Sequence, residues 1–206
     1  MEEIGLFPLG MVLLPSELVP LHIFEPRYRE LIGECLDEGR PFGLLLADAE
    51  DGTRDVGTRA RVTEVLERFE DGRLNVVVEG GERFRVVELT EGRSFRTALV
   101  ESLEDDDEPV DDTLRARALR LFERLVELTG TEVDAPDDTH AQLSFAVAAR
   151  FELGAELKQE LLQETSETAR LRRLCETLEG AAEAVERQRE IAGRAQGNGR
   201  VHPPGS

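Results

Sequence analysis

The chain has no tryptophan and one tyrosine, and aromatics make up only 5% of its 206 residues. It also has a single lysine, Lys158, among 25 basic residues. A P-loop needs a lysine just after its second glycine to reach the β and γ phosphates. The nearest glycine spacing, Gly52 to Gly57, is followed by Thr58 and Arg59, and Lys158 lies far away in ELKQELL. A P-loop ATPase is therefore excluded. A Ser–Lys dyad would need that same lysine desolvated, whereas the pattern places its stem along a helix surface.

Cysteine and histidine are equally scarce. Cys35 and Cys175 have neither disulfide-framework nor ligand spacing, and they fall where small apolar residues belong on helix faces. His22, His140 and His202 have no partner at metal-ligand spacing, so neither a metal nor a cofactor is expected. His140 and Ser144 stand one helical turn apart, with Asp137 and Asp138 upstream. That set lacks a strained nucleophile turn and oxyanion donors. Gly197-Asn198-Gly199 is not a dinucleotide fingerprint. The acids from Glu104 to Glu108 lack the glycine and ligand order of an EF-hand loop. No enzyme is expected. No run approaches the roughly 18 apolar residues of a spanning helix. The start, MEEIGLFPLG, carries acids where a secretory signal needs bases. A cytoplasmic protein without a membrane segment is the resulting expectation.

What the chain has in excess is acid: 44 aspartates and glutamates against 25 bases, a net charge of −19. That field repels polyanions and anionic membranes, so nucleic acid is an unfavoured partner. Hydrophobic residues at 40% still suffice for a core.

The pattern along the chain is α+β, strands first and helices after. Leu6, Phe7 and Leu9 form a short apolar run with Pro8 inside it, which predicts an edge strand. Met11–Leu14 is a second run, closed by Pro15, and Leu18–Phe24 a third, with Pro20. A helix is predicted from Pro26, with Tyr28, Leu31, Ile32, Cys35 and Leu36 on one face and Gly39 as its stop. Phe42–Ala47 reads as a buried strand. Asp51-Gly52 is a turn signal, and alternation over Val56–Val62 marks a further strand. Asp71-Gly72 predicts a hairpin between Val65–Phe69 and Leu74–Val78, and Gly80-Gly81 predicts another turn. Arg83–Leu89 and Phe95–Val100 complete the β-rich part. Glu101 to Asp112 holds eight acids and no base, which reads as a self-repelling linker. The period then changes to 3.6, with helices over Leu114–Leu128, Leu143–Phe151, Ala155–Glu164 and Leu171 to about Ile191. These patterns divide the chain into a β-rich domain at 1–103, an acidic linker at 104–112, a helical bundle at 113–191 and a disordered tail at 192–206.

The most specific signal is the block LFPLGMVLLPSELVPLHIFEPRYRELI, Leu6 to Ile32. It resembles the N-terminal substrate-binding domain of the Lon ATP-dependent protease family. There an L-F-P-L start and a second apolar segment ending in proline precede P-L-x-I-F-E-P-R-Y, which is Pro20 to Tyr28 here. The resemblance continues through Phe42-Gly43, Val56-Gly57-Thr58, Asp71-Gly72-Arg73 and Gly81 to Val86. It reaches the helical segment with Lys158 to Leu162 and Arg170-Leu171, covering roughly residues 4 to 185. It implies a PUA-like β pseudo-barrel followed by an α-helical bundle. It also implies a module that binds protein or peptide ligands, with a protease or its clients as partners. The family's ATPase and peptidase domains have no counterpart in this sequence, which resembles the stand-alone members.

Two residue groups stand out in that block. Glu25, Arg27 and Tyr28 open the predicted helix, and a buried tyrosine with an arginine–carboxylate pair would pin it to the barrel. Leu13, Leu14 and Leu18, around Pro15, are the candidate peptide-binding rim; exposed together they would mark a surface for unfolded or partner chains. The leading function is a non-catalytic protein-binding module. The alternative is RNA binding, since PUA-like folds elsewhere do this, and the net charge argues against it.

Overall fold

The computed structural model of the protein describes residues 1–47 and 52–198, with side chains through residue 192. The expected turn at Asp51-Gly52 begins outside the described residues. Among the described residues, six strands precede four helices of the second part, with one helix among the strands. In order these are β1 (Glu2–Leu9), β2 (Leu18–Ile23), α1 (Pro26–Glu38), β3 (Phe42–Leu46), β4 (Val56–Arg68), β5 (Leu74–Thr90), β6 (Thr97–Ser102), α2 (Asp112–Thr129), α3 (Leu143–Ala148), α4 (Ala155–Gln163) and α5 (Glu167–Asn198).

The strands lie in the order β2-β5-β4-β3-β1-β6, and β6 pairs again with β5. Five strands thus close a ring, which removes their free edges, and β2 is appended outside it. The seventeen-residue β5 makes this possible. Its first half pairs with β2 (Leu18↔Glu79 to Ile23↔Leu74), and its second half pairs with β6 (Phe84↔Ser102 to Thr90↔Thr97). Gly80-Gly81, expected to turn the chain, instead lies inside β5 at this change of partner. A side chain at Gly80 would meet the Leu14 carbonyl oxygen at 2.1 Å. Ser16 N–H donates to the Gly80 carbonyl, and Gly80 N–H donates to that of Glu17. Glycine is there for close backbone approach, not for a turn.

β1 is also not an edge strand. Glu2–Gly5 pairs antiparallel with β6, and Leu6–Leu9 pairs parallel with β3. Pro8 is tolerated because its ladder partner is β3 alone. Leu6 N–H points to Arg96 of the β6 side, and Pro8, two residues on, would point the same way past the end of that ladder.

α1 forms as predicted, from Pro26 at its first position to Gly39 in the left-handed region at φ 65°. It buries Tyr28, Leu31, Ile32 and Cys35, and Tyr28 stacks on Phe7 at 4.1 Å between ring centres. The Met11–Leu14 run is not a strand. Val12 and Leu14 join the helical core with Leu46 and Val56, while Leu13 joins the barrel core with Phe7, Tyr28 and Phe42. One short loop therefore alternates its side chains between two cores.

The acidic segment is docked, not a free linker. Ser166 caps α5, accepting from Ala169 N–H at 3.0 Å. Asp106 accepts from Thr165 Oγ1 at 3.0 Å, and Glu108 from the Ser166 hydroxyl. Carboxylates beside a helix N-terminus are favourable. Asp105 goes deeper. Arg170, fully buried, donates to its two oxygens at 2.6 and 2.7 Å and to Glu167 at 2.7 Å. Arg83 of β5 reaches the same carboxylate and donates to the Leu162 and Glu164 carbonyls at 2.8 Å each. The Phe145 ring lies under both guanidiniums, at 4.4 Å from Arg170 and 5.3 Å from Arg83. α5 runs to Asn198, beyond the expected end near Ile191 and through Gly193 and Gly197. The expected tail lies outside the described residues from 199 onward.

Two outcomes follow from these contacts. Gly80→Ala sets a methyl against backbone that cannot swing away and should cost about 1–3 kcal/mol in urea unfolding; an unchanged midpoint would contradict the close approach. For Asp105, burial pushes the carboxyl up, but hydrogen bonds from Arg170 and Gln142 and the charges of Arg170 and Arg83 outweigh it and hold it below the usual range. A lowered folded-state value adds stability above the unfolded pKa that is lost as pH falls through the folded one. Asp105→Asn should therefore cost on the order of 3 kcal/mol at neutral pH. The gap to the parent should narrow as pH drops below about 4, read by far-UV circular dichroism in urea at several pH values.

Candidate functional site

β2 is the outermost strand, and its side chains alternate. Val19, Leu21 and Ile23 face the barrel core opposite Val78, Val76 and Leu74. Leu18, Pro20 and His22 face outward, opposite Glu79, Val77 and Asn75. β4 completes this outer face with Arg61 opposite Glu79, Glu64 opposite Val77 and Glu67 opposite Asn75. Leu18 is 61% exposed and Phe24, just past β2, is 59% exposed. The His22 ring stacks on Phe24 at 5.9 Å and meets Phe69 edge-on at 6.0 Å. Its Nδ1 bonds Asn75 Oδ1 at 2.6 Å, and Asn75 in turn donates to Glu67 at 3.0 Å. An amide oxygen only accepts, so Nδ1 carries the proton. An outermost strand containing proline is poorly suited to recruit a further strand. The outer face of β2 exposes apolar side chains, whereas its edge is interrupted by Pro20.

Only Leu18 of the three rim leucines is at the surface. Leu13 and Leu14 are both completely buried, so they form no exposed rim. The leucine-rich run near Pro15 carried no sign of its two-sided burial, because the second core comes from helices more than a hundred residues later. Sequence reasoning also missed Phe24 and Leu66 as exposed apolar residues. The even spacing of Leu18, Pro20, His22 and Phe24 was the available signal. Glu25, Arg27 and Tyr28 come together as a corner. Arg27 pairs with Glu25 at 2.7 Å on the surface and lies over the Tyr28 ring at 4.6 Å. Burial, then, raises the tyrosine pKa.

The groups considered for chemistry are engaged elsewhere. Lys158 is not on a helix surface: it is buried and paired with buried Glu17, whose other oxygen accepts Leu14 N–H at 2.9 Å. Next to it, Gln159 donates to the Val56 carbonyl at 3.1 Å. Ser144 Oγ donates to Glu167 at 2.5 Å and accepts from Arg170 at 2.9 Å. His140 Nδ1 accepts Gln142 N–H at 3.1 Å, and Asp137 caps Thr139. Cys35 and Cys175 lie in separate cores, and burial raises both thiols, Cys35 to about 11. Among the described residues, no group of three metal-ligating side chains exists, and no helix is long and apolar enough to cross a membrane. A cleft of about 460 Å³ opens where Gly80-Gly81 meets residues 102–105 and the His140–Gln142 loop. Its inner polar side chains, Arg83 and Asp105, are committed to the buried junction.

The chain is thus a PUA-like pseudo-barrel packed against a helical lobe, with apolar side chains exposed on the outer face of β2. The family model of the ATP-dependent protease La (Lon) substrate-binding domain matches residues 3–180. The chain belongs to that family. It is 27% identical to a Lon protease of Paraburkholderia phytofirmans, over 95% of this chain and 26% of that protein. It is 32% identical to one of Solibacter usitatus, over 68% of this chain and 18% of that protein. The chain thus spans about a quarter or less of the curated relatives it matches. The crystal structure of a Lon N-terminal domain protein from Xanthomonas campestris superposes with a TM-score of 0.68 at 28% identity, covering 84% of this chain and 97% of that one. The N-terminal domain of a Mycobacterium avium complex Lon protease gives 0.60 at 20% identity over 86% of this chain and 98% of its own, a likeness of fold. The chain is the substrate-binding domain and neither the ATPase nor the peptidase.

The buried Lys158–Glu17 pair gives a clear test. Lys158→Ala leaves a buried carboxylate without its cation and should cost about 3–5 kcal/mol, whereas Lys158→Met with Glu17→Leu should be close to neutral. Thermal unfolding followed through Tyr28 fluorescence, unobscured by tryptophan, separates the two. Equal losses in both variants would mean the pair's charges are irrelevant.

Proposed function

We propose that the chain is a non-catalytic domain that binds apolar segments of unfolded or partner polypeptides on the outer face of β2. The observation that carries this reading is the outward row of Leu18, Pro20 and Phe24, beside half-buried Val77, on a strand hung outside the closed ring. Exposed aliphatic and aromatic side chains at adjoining positions of a rigid strand are what a binding surface needs. The family's substrate-binding character supports a polypeptide ligand. The structural engagement of Lys158, Ser144 and His140 supports a role without catalysis. A Lon-type protease or its clients are the partner class this reading implies. The acidic field, at −19, disfavours RNA on the same surface.

Burying a leucine or phenylalanine in a ligand contributes roughly 1.5–3 kcal/mol. Leu18→Ser with Phe24→Ser should therefore weaken binding of a labelled, permanently unfolded protein by about tenfold or more in fluorescence anisotropy. Both side chains are exposed, so the melting temperature should stay near the parent's. A variant that melts like the parent and binds as tightly would rule this face out.

A further inference from the structure

The apolar row on β2 does not stand alone on its face. On the adjoining strand β5, Glu79 lies directly opposite Leu18, and one strand further on, Glu64 and Glu67 of β4 project toward the same side. Neighbouring strands lie about 4.8 Å apart, so the β4 carboxylates sit roughly 10 Å from the β2 row. Glu64 and Glu67 form no ion pair among the described residues; Glu67 only accepts from Asn75. Arg61, opposite Glu79, is the one arginine at these cross-strand positions, and His22 reaches Glu67 only through Asn75. The hairpin tip adds Glu70 and Asp71, of which Asp71 is matched by Arg73. The face therefore carries an apolar stripe with an unneutralised acidic border, inside a chain of net charge −19.

We infer that this face selects apolar segments that carry lysine or arginine beside the apolar residues, and discriminates against segments flanked by acids. This rests on the proposed polypeptide-binding role and names the class of segment. A peptide laid along β2 would place its apolar side chains against Leu18, Pro20 and Phe24. Its neighbouring basic side chains would extend across β5 toward Glu64 and Glu67. An acidic flank would meet those carboxylates and the overall field, and like-charge juxtaposition both weakens a complex and slows encounter. The positive flank gains little per pair, because these carboxylates are in water, so selectivity comes from several weak contacts and from the repulsion of the wrong sequence.

The test uses the full chain and three labelled peptides of about 12 residues sharing one apolar, aromatic centre, flanked by lysines, by serines or by glutamates. In anisotropy titrations at about 50 mM salt the lysine-flanked peptide should bind roughly three- to tenfold more tightly than the serine-flanked one, and the glutamate-flanked peptide most weakly. The spread should shrink toward about 500 mM salt, where the screening length is only a few ångströms. Glu64→Gln with Glu67→Gln should reduce the preference for lysine over glutamate flanks, and both sites are exposed, so a parent-like melting curve verifies the fold. Equal binding of the three peptides, or a preference unchanged in the double variant, overturns the inference and leaves the polypeptide-binding reading intact. Absence of binding by all three removes both.

Discussion

Two guanidiniums hold this molecule together. Arg83 comes from the barrel strand β5 and Arg170 from α5, and both reach Asp105 in the segment between the two parts. Each charge is buried, which is costly unless every donor finds an acceptor. The acceptors are Asp105, Glu167, the Leu162 and Glu164 carbonyls, and Ser144, and among these donors only Arg83 Nε is buried without one. Phe145 supplies a ring face to both. Burial pulls the Arg83 pKa down, while for Arg170 the bonds to Asp105 and Glu167 outweigh burial and raise it. The arginines stay charged, so the network stays assembled. Strand, linker and three helical segments all contribute to it, so the network spans the junction of barrel and helices.

A second fastening lies at Gly80. The loop of Val12, Leu13 and Leu14 sends alternate side chains into the helical and barrel cores. Glu17 at its end meets Lys158 of α4 and holds the Leu14 N–H, while Thr58 donates to the Leu13 carbonyl at 2.6 Å. Gly80 lets this loop lie directly on β5. An apolar clamp and two buried polar contacts thus meet β5 where its pairing partner changes.

The proposed binding face rests on that strand. β5 carries β2 on its first half and the junction on its second. Val76, Val78 and Ile23 fill the inner side of β2 and β5, and Leu18 and Phe24 stay largely exposed on the outer side. Leu18 and Phe24 are held outward by strand alternation, and His22 is fixed between them by Asn75 and Phe24. A face prepared in this way loses little conformational entropy when a ligand arrives.

What the sequence determined by itself was local or periodic. Pro26 and Gly39 delimit α1, Asp71-Gly72 closes the β4–β5 hairpin, and the change from period 2 to 3.6 marks where helices begin. Each rests on the conformational limits of a few adjacent residues or on the repeat of one face. The block from Leu6 to Tyr28 carried the family resemblance as well. Tertiary structure alone decided the rest. Gly80-Gly81 spells a turn in the sequence but is a contact point, because the Leu14 backbone arrives there from elsewhere in the chain. Leu13 and Leu14 looked like a surface and are core, because two lobes close over them. Asp105 read as one charge in a repelling run, yet it is neutralised by arginines 22 residues before and 65 after it. Lys158, read as a surface residue, is buried because its counter-charge lies 141 residues away. Partners at such separations leave no local pattern; burial and charge pairing are settled only when the whole chain has folded.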